Sequence, residues 1–121
     1  MNKLFFSNTE FKSGQNFTVR LGTKWKDRVD IGDVVWIENF PNDHLGQIHE
    51  IICCRLDSIP SRVFKNEHDP ACRNIDGLIK VFEECYEEFK GLATEKGGAT
   101  PITCIGFTVY YCDQPRAAKE G

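Results

Sequence analysis

Between residues 75 and 89 an apolar side chain recurs every three or four positions, at Ile75, Leu78, Ile79, Phe82, Tyr86 and Phe89, and Gly91 follows. That spacing is helical. The other strongly apolar stretches have a different rhythm. Phe17, Val19 and Leu21 alternate with Thr18 and Arg20, 34–40 is rich in β-branched and aromatic residues, and 48–56 and 102–110 alternate over most of their length. A chain with strand patterns on both sides of one long amphipathic helix is neither a helical bundle nor a regular β-α-β alternation. It predicts an α+β domain whose sheet curls into a small barrel with flanking helices.

Local signals sharpen this expectation. Asn74 is placed to cap the long helix, whereas Gly77 in its first turn weakens it by up to about 1 kcal/mol. Pro60 suits the first turn of a second, short helix. A further short strand is expected over 3–7, an exit from the second strand at Gly22, and a turn at Asp30 to Gly32. In 48–57, Ile48, Ile52, Cys54 and Leu56 fall on one face and His49, Cys53, Arg55 and Asp57 on the other. Ile51 breaks the pattern, so a bulge or two-sided burial is expected there. Residues 92–101 form a polar loop in this reading; 1–113 make one domain, and 114–121 a flexible tail.

Hydrophobic residues at 40% and charged residues at 27%, both signs mixed, fit a globular chain rather than a disordered one. No apolar run is long enough for a membrane span or a secretory segment, so the expected location is cytoplasmic. The six cysteines, Cys53, Cys54, Cys72, Cys85, Cys104 and Cys112, are then free thiols, with Cys54 and Cys85 expected as small buried hydrophobes. No paired ligand motif fixes a metal, and no cofactor is implied.

A net charge of −3 argues against a general polyanion binder, yet Lys12 to Arg28 holds five basic residues against the single acid Asp27. A second cluster, Glu83, Glu84, Glu87 and Glu88, is acidic and lies on the long helix. If Phe17, Val19 and Leu21 face the core, Thr18 and Arg20 share the opposite face of the strand. Lys12, Lys24 and Lys26 flank them. Cations position phosphate, and Trp25 offers a ring on which a base can stack.

The stretch "FTVRLGTKWKDRVDIGDVVWI", followed by "GQIHEIICCRLDSIP" and a helix through "CYEEF", resembles the ASCH family of the PUA-like superfamily, in its small single-domain bacterial or phage type. Arg20, Gly32-Asp33 and Asp57-Ser58-Ile59-Pro60 carry the resemblance. It implies a PUA-like barrel with a cleft that binds RNA or a modified nucleobase. Thr18, Arg20, Lys24 and Trp25 would contact the ligand, with Lys12, Lys26 and Arg28 contacting phosphate. One branch of the family resembles an amidohydrolase that deacylates N4-acetylcytidine with a lysine, a threonine and a glutamate. On this chain the threonine falls on Thr18 and the glutamate near Glu67 or Asp69. The lysine position holds Gln15, which cannot act as a base, so Lys12 or Lys24 would have to serve. A third expectation is a protein-interaction module that uses the acidic helix face.

Overall fold

The computed structural model describes residues 3–4, 11, 14–37, 44–86 and 100–110. Its strands are β1 (Lys3–Leu4), β2 (Gln15–Leu21), β3 (Val34–Ile37), β4 (His44–Arg55) and β5 (Pro101–Tyr110), and its helices α1 (Lys24–Arg28), α2 (Ser61–Asn66) and α3 (Ile75–Cys85). The strands form one sheet in the order β1-β3-β4-β5-β2, antiparallel except for the β1–β3 pair. It curls into a half-barrel, so the architecture is the expected α+β one.

The curl gives the sheet two cores, one on each face. Ile105, Phe107 and Val109 of β5 pack with Leu4, Val29, Val35, Ile37 and Ile48. Ile102 and Cys104 point the other way and join Phe17, Val19, Leu56, Val63, Leu78 and Phe82, where α2 and α3 cover the sheet. Strand β5 is therefore buried on both sides, and every residue from Ile102 to Phe107 is buried.

Strand β4 keeps an apolar residue on each face by means of a bulge. Ile48 pairs with Phe107 and Glu50 with Gly106, which leaves His49 as the extra residue. The shift reverses the parity of everything after it. Ile48 and Ile51 thus share the inner core, while Ile52 and Cys54 pack on the helix side. The irregularity expected at Ile51 originates two residues earlier, and Ile48 does not share a face with Ile52.

Asn74 caps α3 as anticipated, its Oδ1 accepting from the Gly77 N–H at 2.7 Å. Gly77 has a packing reason to be there, since a Cβ at this position would stand 2.0 Å from the Ala71 carbonyl oxygen. The turn at 30–33 is also present: Asp33 N–H donates to the Asp30 carbonyl at 3.0 Å, and Gly32 takes φ +97°. Residues 24–28, between the exit at Gly22 and the turn at Asp30, form the short helix α1, for which the sequence carries no signal. Cys85 is exposed rather than buried, and the described cysteines are free thiols. Helix α3 stops at Cys85, with Tyr86 as its extended C-cap, short of the end expected near Gly91. The expected loop at 92–99, Cys112 and the 114–121 tail lie outside the described residues.

Candidate functional site: a cavity at the edge of the half-barrel

Strand β2 is the last in the sheet, and its inner side pairs with β5 in a register that sets Thr18 opposite Ile105 and Arg20 opposite Thr103. Its outer edge is covered by the chain after α2. Phe17 forms an isolated parallel bridge with Glu67, and the His68 N–H donates to the Phe17 carbonyl at 3.1 Å. The chain then turns through a short 3-10 segment, Pro70–Cys72, whose start is capped by Asp69 Oδ1 accepting from the Ala71 N–H at 3.0 Å. This turn delivers α3 back alongside β2. At the far end the Leu21 N–H donates to the Tyr86 hydroxyl at 3.4 Å and ties the helix to the strand.

Between these elements lies a cavity of about 400 Å³. Val19, Leu78, Val81 and Phe82 give it apolar walls, and Thr18, Arg20, Glu67, His68, Asp69 and Tyr86 supply the polar groups. Small-molecule sites have this character, mostly apolar with a few convergent polar atoms.

Glu67 is the unusual member. It is only 2% exposed. Its Oε1 is held by His68 Nδ1 at 2.8 Å and by the Asp69 N–H at 3.4 Å, but its Oε2 is buried with no hydrogen-bond partner among the described residues. Burial raises the Glu67 carboxyl above its ordinary range, and the hydrogen bond with His68 offsets that only in part. A buried acceptor without a donor costs free energy unless something supplies one. A ligand donor would do so once the cavity wall gives way to it, since Oε2 is shielded from solvent as the wall stands.

Arg20 sits across from it. Its Nε donates to Thr18 Oγ1 at 3.2 Å, and its guanidinium carbon lies 5.5 Å from the centre of the Trp25 ring. Arg28 approaches the same ring at 5.1 Å. Burial pulls the Arg20 pKa down, opposed by the charges of Tyr86 and Glu67. The guanidinium stays protonated, because its ordinary value is so high.

The crystal structure of an ASCH domain from Lactobacillus crispatus JV V101 superposes on this chain with a TM-score of 0.54 at 10% sequence identity. The fold is ASCH-like. The match covers 78% of this chain, which spans 63% of that one. Neither a protein-family profile nor a curated protein sequence matches the chain.

The ASCH-like fold brings Thr18, Arg20 and Glu67 into one cavity, the first two from β2 and the third from the strap across its edge. Thr18 is 4% exposed, so the strand face expected to be open is largely covered. Lys24, Lys26 and Arg28 are exposed on α1 and are not among the residues lining the cavity. Trp25 is half-buried against the inner core and reaches the cavity only through Arg20. Lys12 lies outside the described residues, as do Glu87 and Glu88, while Glu83 and Glu84 are exposed on α3. Among the described residues no three His, Cys, Asp or Glu side chains are grouped so as to hold a metal ion, and no helix is long and apolar enough to cross a membrane.

Sequence reading missed the helix half of the site. Val81, Phe82, Cys85 and Tyr86 look like ordinary positions of an amphipathic helix, and only the return of α3 to β2 makes them a wall. His68 carried a weak signal, since Glu-His-Asp is a polar triplet between two helix signals. Its partner was not readable.

Proposed function

We propose that the cavity binds one nucleobase, either of a modified nucleoside or of one residue of an RNA strand, in a half-barrel of the PUA-like kind. The observation that carries this reading is the buried Oε2 of Glu67, without a partner among the described residues, in a cavity also lined by the cationic Arg20 and by Asp69. A carboxylate accepts from ring or exocyclic N–H groups, a guanidinium donates to a ring carbonyl or nitrogen, and apolar walls take the faces of a flat ring. The edge of a pyrimidine offers a donor and an acceptor side by side. Selectivity of this kind needs no net positive charge, which suits an acidic chain.

Hydrolysis of an acylated base is less well supported. Thr18 Oγ1 accepts from Arg20, and a base would have to remove its proton before it could attack. No lysine lines the cavity among the described residues. Glu67 can hold a donor group of the ligand, and the reading proposed is therefore recognition.

The test is an amide NMR titration with cytidine, N4-acetylcytidine and a short single-stranded RNA, with the free-acetate signal followed in the same tubes. Shifts centred on Thr18, Arg20 and Glu67 that vanish in Arg20→Ala are expected. Acetate release lost in Thr18→Ala would replace recognition by hydrolysis. No shift with any of the three ligands would overturn the reading.

A further inference from the structure

A second recess lies on the other side of the strap that carries Glu67. It is an open groove of about 580 Å³ lined by Ser61, Arg62, Phe64, Lys65 and Arg73. Three of its five lining residues are cationic, which the sequence did not suggest because they are spread over a helix and a turn rather than run together. Arg62 is neutralised by a two-pronged contact with Glu50, one prong at 2.7 Å. Arg73 is held differently. Its Nε donates to the Glu67 backbone carbonyl at 3.0 Å, and its two terminal nitrogens have no partner among the described residues. A guanidinium fixed through Nε presents its remaining donors as a rigid fork, the geometry that suits a phosphate.

The placement of that fork matters more than its charge. Glu67 lines the cavity and offers its backbone carbonyl to Arg73, so one residue links the cavity to a side chain of the groove. Phe64, half-buried in the groove beside the cations, adds an apolar surface. Cations interleaved with an aromatic ring suit a single nucleic-acid strand better than an acidic peptide, because successive bases stack while phosphates meet the charges. The α1 cations Lys24, Lys26 and Arg28, expected from sequence to meet phosphate, line neither recess.

We infer that the groove between α2 and the 70–73 turn holds the phosphates of a single-stranded RNA that has one base in the cavity, with Arg73 and Lys65 as the contacting groups. This rests on the nucleobase reading of the cavity. Without that reading the groove would still bind an anion, but not a strand in this register.

The experiment compares a nucleoside with a short single-stranded oligoribonucleotide on the full chain, by calorimetry and by fluorescence anisotropy at several salt concentrations. Wild type, Lys65→Ala, Arg73→Lys and Lys26→Ala are measured, with amide spectra to confirm folding. RNA is expected to bind more tightly than the nucleoside. Lys65→Ala should flatten the dependence of log K on log salt by about 0.7, the loss of one phosphate contact, and leave nucleoside affinity unchanged. Arg73→Lys keeps the charge but loses the fork, so RNA affinity should fall about tenfold with little change in slope. A nucleoside that binds while RNA gains nothing over it would overturn the groove assignment and spare the cavity reading. RNA binding without nucleoside binding would overturn the cavity reading and the register with it. A slope that falls in Lys26→Ala but not in Lys65→Ala would move the phosphates to α1 and overturn the inference. Equal displacement of RNA by poly-glutamate would overturn it in favour of an acidic peptide.

Discussion

Replacing Glu67 by glutamine should weaken ligand binding and strengthen the fold at once. In the free protein Oε1 is occupied by His68 and the Asp69 N–H, while Oε2 is buried without a partner among the described residues. A ligand donor at Oε2 therefore displaces no internal bond, and a hydrogen bond to a charged group contributes about 1.5–3 kcal/mol. The substitution should weaken binding by about tenfold to 150-fold. Glutamine retains the Oε1 contacts and removes the buried charge, so at neutral pH the variant should gain about 1 kcal/mol, or about 4 °C in Tm. The sign with pH follows from the direction of the shift. Burial raises the folded carboxyl above its ordinary value of 4.5. The folded state then binds the proton more tightly than the unfolded chain, so this group's contribution is most favourable below about 4.5 and is lost as pH rises toward the raised value. That fall in stability should disappear in Glu67→Gln. Calorimetry with cytidine, and urea melts at pH 5 and pH 7, measure all three quantities. A variant that binds as well as wild type and melts lower would show Glu67 to be a structural residue and refute the argument.

Two further substitutions test the supports of the site. Gly77→Ala gains about 1 kcal/mol of helix propensity but places a methyl 2.0 Å from the Ala71 carbonyl oxygen. Overpacking of that kind costs about 1–3 kcal/mol, so urea melts should show a net loss, and a more stable variant would disprove the close approach. Trp25→Leu removes the ring that Arg20 lies over; the loss of about 1 kcal/mol of cation–π attraction should raise the Kd about fivefold, with Trp25→Phe restoring much of it. Equal Kd values for Trp25→Leu and wild type would free Arg20 from Trp25.

Much of the fold was legible because period and punctuation agreed. The start of helix α3 followed from apolar spacing with Asn74 as its cap, although the helix stops at Cys85 and not near Gly91, and β2 and β5 followed from alternation. Where two faces of one strand are both buried, alternation loses its meaning. The isoleucines of β4 could be assigned to faces only once the bulge at His49 was known, and a bulge is fixed by the partner strand, not by the strand itself. Helix α1 was unreadable for another reason. "KWKDR" is too short to display a period, and its packing rests on Trp25 against the inner core and on the buried Val29 that follows it. For the site, Thr18 and Arg20 were legible from the strand pattern, and Glu67 only as one of two nearby carboxylates. The pairing of Glu67 with His68, the walls from α3 and the groove at Arg73 arise from contacts between distant segments.

The strap of 67–69 has a consequence beyond ligand contact. As the last strand of the sheet, β2 would present a row of unpaired backbone groups along its outer edge, and such an edge invites strand addition from another molecule. The Phe17–Glu67 bridge and the His68 N–H occupy part of that row. The wall of the cavity is therefore also the guard of the sheet against self-association. Any change that loosens it to admit a larger ligand exposes a sticky edge in the same motion, so solubility limits how far this site can be remodelled.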